Sequence, residues 1–284
     1  MKLTFLGTSA SEGYPNAFCQ CDNCQRARQL GGPNLRKRCS VLIDDVLLID
    51  IGPDLMAAAQ QHELSLATIQ YCLQTHPHED HLDPSHFGSR SAACGVFDVP
   101  RLYWYASQCA IEKAGRHFGQ NLPPDGLLSP NVKEQLNLTV QPVAPFQELD
   151  VGPYRVSSVK ANHAPDLQAM LYVLETTGRT LFYATDTGGL PEETWRYLAE
   201  RQFRFNVVVM DHTFGITDRG GGHMNSRQFV RQIERMAVEN LLAGDARIFA
   251  THIGHHSNPD HETLVNHAQE REYDVAFDGL VISV

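Results

Sequence analysis

Between positions 75 and 83 the chain reads THPHEDHLD, and four side chains able to bind a metal fall within six residues: His76, His78, Asp80 and His81. Imidazole nitrogen combined with carboxylate oxygen suits Zn, Mn or Fe(II). His76 and His78 are two apart, so at the end of a strand both point the same way and can share one ion. Asp80 and His81 follow where a loop would bend back, placed for a second ion close by. The same setting, a polar ligand closing an apolar strand-like run, recurs at His163 in KANHAP, Asp186 in FYATDTG and His252 in IFATHIG. A single histidine in that position is ordinarily structural. Its repetition carries the argument, because ligands from several strand ends can converge on one sheet edge. Two neighbouring cations acidify a shared water and polarise phosphoryl oxygens, which is hydrolytic chemistry.

A second cluster, Cys19, Cys21 and Cys24, forms C-x-C-x2-C in AFCQCDNCQRAR. Thiolates so spaced can bind tetrahedral zinc but are one ligand short of a closed structural site. His255, three residues after His252, is the expected fourth ligand, with His256 as its competing neighbour. Cys39, Cys72, Cys94 and Cys109 have no such spacing and read as packed residues. Hydrolysis also needs a group to protonate the departing alkoxide. His223, in the glycine-rich stretch DRGGGHMNS, is the candidate. Its glycines would let the backbone approach a phosphate, and a helix starting near Ser226 would offer its positive end. Asp211, ending an apolar run, is placed to orient His223 or a metal-bound histidine. His86 lies close enough after the histidine run to line the pocket, and Arg90 and Arg219 are candidate phosphate contacts.

These residues need strands to carry them. Strand-like runs recur at 2–7, 41–51, 70–75, 101–105, 154–160, 169–175, 180–185, 205–210, 247–251 and 280–284. Helical patterns fall at about 53–62, 107–118, 191–200, 226–240 and 260–270. The early strands come as hairpin-like pairs with little room for crossover helices, which predicts mixed sheets with helices outside them. Residues 120–150, rich in proline and polar side chains, read as an inserted loop region, and the whole of 1–284 as a single domain.

Composition narrows the partners. With 284 residues, 42% of them hydrophobic and 20% charged, the chain is of ordinary globular type and not disordered. Twenty-three Lys and Arg against 33 Asp and Glu leave a net charge of −10, which disfavours a nucleic acid polymer or an anionic membrane. No apolar run approaches the roughly 20 residues of a membrane span. MKLTFLGTSA lacks the apolar core of a signal peptide, so the expected location is cytoplasmic. In that reducing compartment seven cysteines remain thiols, and crowding of three suggests metal.

His76 to His81 match residue for residue the H-x-H-x-D-H signature of the metallo-β-lactamase superfamily, and Asp50 in LLIDIG, His163, Asp186 and His252 match its other motifs in order. The chain resembles that family over nearly its whole length. The resemblance implies an α/β protein, an αβ/βα four-layer sandwich of two mixed sheets with outer helices. It also implies two divalent ions, Mn or Zn, at the edge between the sheets. His76, His78 and His163 would hold the first; Asp80, His81 and His252 the second; Asp186 would bridge them. Asp50 would fix a ligand by hydrogen bond or simply end its strand. His78 at the third signature position is as in the hydrolase branch, not the diiron oxygen-reducing one.

FLGTSASEGYPNAFCQCDNC, THPHEDH, THIGH and the FDG at 277–279 together resemble the PhnP-type phosphodiesterases, which cleave phosphoribosyl cyclic phosphates in bacterial phosphonate breakdown. That match includes a structural zinc held by three Cys and one His, and the corresponding family histidine places His223 beside the substrate phosphate. The implied protein is a di-metal phosphodiesterase, a homodimer, cleaving a small cyclic ribose or nucleotide phosphodiester by attack of a metal-bridging hydroxide, with Asp80 and His223 in catalytic roles. A lactonase or thioesterase using the same centre is an alternative. So is a cofactor-pathway binding protein without hydrolysis, because the PqqB group shares a similar cysteine loop. The long arm of the tRNA 3′-processing nucleases is not evident.

Overall fold

The structure is a computed structural model that describes residues 1–118 and 126–284. Six strands begin the chain: β1 (Lys2–Gly7), β2 (Ser40–Ile43), β3 (Leu47–Ile49), β4 (Tyr71–Leu73), β5 (Leu102–Ala106) and β6 (Leu138–Pro142). Seven more follow: β7 (Glu148–Val151), β8 (Tyr154–Lys160), β9 (Met170–Thr176), β10 (Arg179–Ala184), β11 (Phe205–Asp211), β12 (Leu242–Thr251) and β13 (Asp274–Val275). The last, β14 (Val281–Ser283), returns beside β1. They form two seven-stranded sheets, ordered β14-β1-β2-β3-β4-β5-β6 and β13-β12-β11-β10-β9-β8-β7. The first sheet is antiparallel from β14 to β3 and parallel from β3 to β6. The second is antiparallel from β7 to β10 and parallel from β10 to β13.

Burial explains this layering. Phe205, Val208 and Met210 of β11 join the core beneath the helices, while Val207 and Val209 join the core between the sheets. A strand buried on both faces reads as a continuous apolar run, which is how VVVM at 207–210 reads. Helices α1 (Asp22–Leu30), α6 (Glu192–Glu200), α7 (Ser226–Val238) and α8 (His261–Gln269) place buried residues in the second sheet's outer core or beside it. Helices α2 (Leu55–Gln61), α4 (Gln108–His117) and α5 (Pro130–Gln135) do the same for the first sheet, with the short α3 (Ser85–Ser89) adding Phe87. The result is the expected αβ/βα sandwich. No helix among the described residues is long and apolar enough to cross a membrane.

Three expectations change. The run 41–51 is a hairpin of β2 and β3, turned at Asp44 and Asp45 with φ of 47° and 60°. Aspartate tolerates that left-handed geometry, and a type I′ turn requires it at both central positions. The region 120–150 is not simply loop: it carries α5, β6 and β7, while 119–125 lie outside the described residues. β6 and β7 each lie at one edge of their sheet, β7 burying only Val151, so their apolar signal is weak. α1 escapes periodicity for the same reason, with Cys24 and Ala27 its buried residues.

Parallel strands end at the same edge, so Asp50 after β3, His76 after β4, Asp186 after β10, Asp211 ending β11 and His252 after β12 are brought together. Asp50, Asp186 and His252 all take positive φ, at 65°, 51° and 58°. Such backbone is costly for a non-glycine residue and concentrates at functional sites.

The loops beyond β11 and β12 are locked by Asn258, which donates to the carbonyls of Thr213 and Gly254, both at 3.0 Å. Its Oδ1 lies 3.2 Å from Nδ1 of His212, whose Nε2 is 3.0 Å from the Tyr273 hydroxyl. Burial pushes the His212 pKa down to about 4. The unfolded chain binds a proton here near pH 6.5 and the folded one refuses it, so this group withdraws stability as pH falls. His212→Asn should be destabilised at pH 7, and its deficit relative to the unaltered protein should shrink by up to about 3 kcal/mol by pH 4. Urea unfolding of both proteins across that range measures the deficit; a constant difference would refute the assignment.

Candidate metal centre

Past Leu73 the chain leaves β4 and runs through Gln74 to His78 without strand pairing of its own, so the expected strand-end pair is in fact a loop pair. Convergence survives because the two imidazoles use different nitrogens. Nε2 of His76 lies 2.8 Å from Nδ1 of His78, which lies 3.1 Å from Nε2 of His163. Beside this trio, Nε2 of His81 is 2.5 Å from Asp186 Oδ2 and 3.1 Å from Asp80 Oδ2. Nε2 of His252 is 3.2 Å from Asp186 Oδ1 and 3.5 Å from Asp80 Oδ2. Asp186 also reaches His76 Nε2 at 3.3 Å, so its carboxylate sits between the two groups. Both groups, His76/His78/His163 and Asp80/His81/Asp186/His252, could hold a metal ion.

The chemistry of the donors fits divalent cations. His81 Nε2, His252 Nε2 and both carboxylate oxygens of Asp186 are buried without a hydrogen-bond partner. Leaving such atoms unpartnered is expensive, and they face one another at 2.5 to 3.2 Å without hydrogen-bonding geometry, as donors arranged around a shared cation would. Burial keeps His76 and His163 below the ordinary histidine pKa, in the neutral form that donates a lone pair.

Several of these side chains are held from behind. Asp50, fully buried, accepts from the Thr75 backbone N–H at 2.7 Å and from Gln74 Nε2 at 2.8 Å, and lies 2.6 Å from His81 Nδ1. Its role is therefore to orient His81, turning Nε2 toward the centre. A Cβ on Gly52 would come within 2.5 Å of the Asp80 carbonyl oxygen, so only glycine lets the signature loop pack this closely. Asp211 accepts from the N–H groups of Thr213 at 3.1 Å and Met224 at 2.9 Å, and its Oδ2 lies 2.9 Å from His223 Nδ1. Burial opposes charge on His223, but Asp211, then Asp186 and Asp80, outweigh it and raise its pKa to about 9. Thr213, which the sequence did not single out, spaces the two loops: Oγ1 is 2.8 Å from His252 Nδ1 and 3.0 Å from Asp211 Oδ2. Its only sequence signal was its place two residues past a strand-ending aspartate.

Around the cysteines, His255 and not His256 faces the sulfurs: Nδ1 lies 3.2 Å from Cys24 Sγ and 3.7 Å from Cys21 Sγ. Cys19, Cys21, Cys24 and His255 together could hold an ion. His256 is turned to Glu12, 3.1 Å away.

Other expectations are corrected. The glycine-rich stretch does not cradle an open anion site. Gly222 offers its carbonyl to His163 Nδ1 at 3.2 Å, and a Cβ on Gly188 would collide with the Gly221 carbonyl, so the stretch turns carbonyl oxygens toward its neighbours. Nor is the start of α7 free: Asn225 and Gln228 cap one another, and the Ser226 N–H donates to the Gly215 carbonyl. Arg90 donates to the carbonyls of Asn137 and Pro100 and holds a loop. His86 Nε2 lies 3.0 Å from the Gly52 carbonyl oxygen, behind the signature loop and outside the metal-ligand groups. Arg219 is exposed, and its carbonyl accepts from Asn225.

The sequence profile of the Beta-lactamase superfamily domain matches residues 46–253. A search of curated proteins finds no significant relative. Among solved structures, a new diphosphatase from the PhnP family superposes with a TM-score of 0.74 at 20% identity, over 100% of this chain and 97% of that one. Zn(2+)-bound PqqB from Methylobacterium extorquens gives 0.71 at 18% identity, over 100% of both chains. The short form of human tRNase Z gives 0.65 at 16%, over 100% and 99%. At these identities the likeness shows the fold.

Proposed function

The chain belongs to the Beta-lactamase superfamily, a family of metallo-β-lactamase-fold hydrolases, and from that premise we propose that it is a di-metal phosphodiesterase of the PhnP type acting on a small phosphodiester, cyclic ribose or nucleotide phosphates included. The buried, unpartnered oxygens and nitrogens of Asp186, His81 and His252 carry this reading. His76, His78 and His163 would hold one ion, Asp80, His81 and His252 a second, with Asp186 between them; Cys19, Cys21, Cys24 and His255 would hold a structural zinc. Divalent ions bound there supply Lewis acidity, drawing charge from phosphoryl oxygens and acidifying water.

The chain's own contribution is proton delivery. Asp211 engages Nδ1 of His223, which leaves Nε2 as the nitrogen able to face substrate. Water oxygen bonds to phosphorus and the bond from phosphorus to the leaving oxygen breaks, its electron pair staying on that oxygen. The Nε2 proton goes there, and the products are a phosphomonoester and an alcohol. A proton lost by the attacking water restores the balance through solvent. The centre opens on the side of His78, His163 and His223, which are partly exposed, while His76, His81, Asp186 and His252 are buried.

Protein loaded with Mn or Zn should hydrolyse bis-p-nitrophenyl phosphate and 2′,3′-cyclic nucleotides well above the His76→Ala background. Elemental analysis should find about three metals per chain, falling to about two in Cys24→Ser. Turnover no greater than that of His76→Ala overturns the reading. About one metal per chain without turnover would favour a PqqB-like binding protein, and turnover confined to lactones or thioesters would move the reaction to carbonyl carbon.

A further inference from the structure

Resting on the phosphodiesterase reading, we propose that Phe214, with His256 beside it, is the subsite for the leaving group, and that it takes a planar aromatic group such as a nucleobase. Four rings run outward from the metal centre: His163 to His223 at 4.8 Å between centroids, His223 to Phe214 at 5.6 Å, and Phe214 to His256 at 6.1 Å. The first three are partly exposed and His256 is exposed, so the strip faces solvent at the mouth of the centre.

The direction follows from how His223 is enclosed. Its ring stacks on His252 at 5.4 Å and 13°, His163 packs on another flank, and Asp211 takes Nδ1. Phe214 forms the remaining ring contact, so an oxygen protonated by Nε2 carries its substituent across Phe214. That ring's contacts with both histidines are T-shaped, at 87° and 69°, and the Phe214 side chain remains partly exposed. Its backbone is fixed: the Phe214 N–H donates to the Met224 carbonyl at 2.9 Å, and Gly215 bridges to Asn225. A rigid ring loses little entropy on binding a flat partner.

Charge selects what can lie there. Glu12 Oε1 stands 3.1 Å from His256 Nδ1 and 3.6 Å from His255 Nε2, closing the far end of the strip with a carboxylate. A second phosphate at that end would meet like charge, whereas an uncharged ring would not.

The test compares metal-loaded protein on adenosine 2′,3′-cyclic phosphate and on glycerol 1,2-cyclic phosphate, which lacks the ring. The unaltered protein should prefer the adenosine substrate. Phe214→Ala, and Phe214→Leu, which keeps bulk without a π-face, should each lower the ratio of the two kcat/KM values by about tenfold, the size expected of one base–aromatic stack. Calorimetric titration with adenosine 3′-monophosphate gives a readout independent of turnover, with Kd rising about tenfold in both variants. An unchanged ratio, or nucleotide bound no more tightly than inorganic phosphate by the unaltered protein, overturns the subsite. Absence of turnover with either substrate overturns the phosphodiesterase reading instead, and the titration still decides whether Phe214 holds a ring.

Discussion

Asp186→Asn should leave a folded protein with about one metal per chain, at the cysteine site, and with kcat/KM for phosphodiesters reduced about 10³-fold or more. Position explains the size of the effect. The carboxylate stands 2.5 Å from His81, 3.2 Å from His252 and 3.3 Å from both His76 and His223. Every other proposed ligand would serve one ion, and this one would serve both. Asparagine keeps the volume but removes the negative charge and exchanges one carboxylate oxygen for an amide nitrogen that can only donate, directed at nitrogens that must themselves offer lone pairs. Because Asp186 already sits buried at positive φ, a side chain of the same shape preserves the local backbone. Elemental analysis and far-UV circular dichroism on one preparation separate metal loss from unfolding. Two metals retained at the histidine centre, with turnover within about tenfold of the unaltered protein, would remove Asp186 from its bridging place.

What could be read from the residues was what is local or repeated. His76 to His81 announce themselves by spacing, and Asp186 and His252 by repeating the pattern of a ligand closing an apolar run. Their meeting follows from parallel strands sharing an edge, a topology legible in the sequence only as far as mixed sheets whose strand ends converge. Thr213 was not legible, since its function is to sit between Asp211 and His252, side chains 41 positions apart along the chain and joined only by folding. The glycine-rich stretch misled for the opposite reason. Glycine permits close approach without saying to what, and here the neighbours are His163 and Gly188, not an anion. Edge strands such as β7 stayed hidden because half their surface meets solvent and the period-two pattern has little apolar contrast.

His223→Ala separates proton delivery from metal binding. The variant should keep its metal content and lose about 10²- to 10⁴-fold in kcat on substrates with strongly basic alkoxide leaving groups. Loss should be much smaller for p-nitrophenyl esters, because p-nitrophenolate departs without needing a proton. That dependence follows from the geometry: His223 lies on the exposed side, with its Nδ1 held 2.9 Å from Asp211 and its pKa raised to about 9 by surrounding carboxylates over the opposition of burial. Metals seated beside Asp186 and Asp80 would take up part of those charges, leaving Asp211 as the partner that keeps the imidazole protonated. Asp211→Asn should accordingly move the alkaline limb of the kcat profile to lower pH while sparing metal content, a change that simple loss of packing would not produce. Equal losses of His223→Ala across aryl and alkyl leaving groups would mean that the ring holds the phosphate and another group supplies the proton. A metal content that falls with His223 would mean instead that it belongs among the ligands, with His252 and Asp186, as the 3.3 Å approach of its Nδ1 to Asp186 permits.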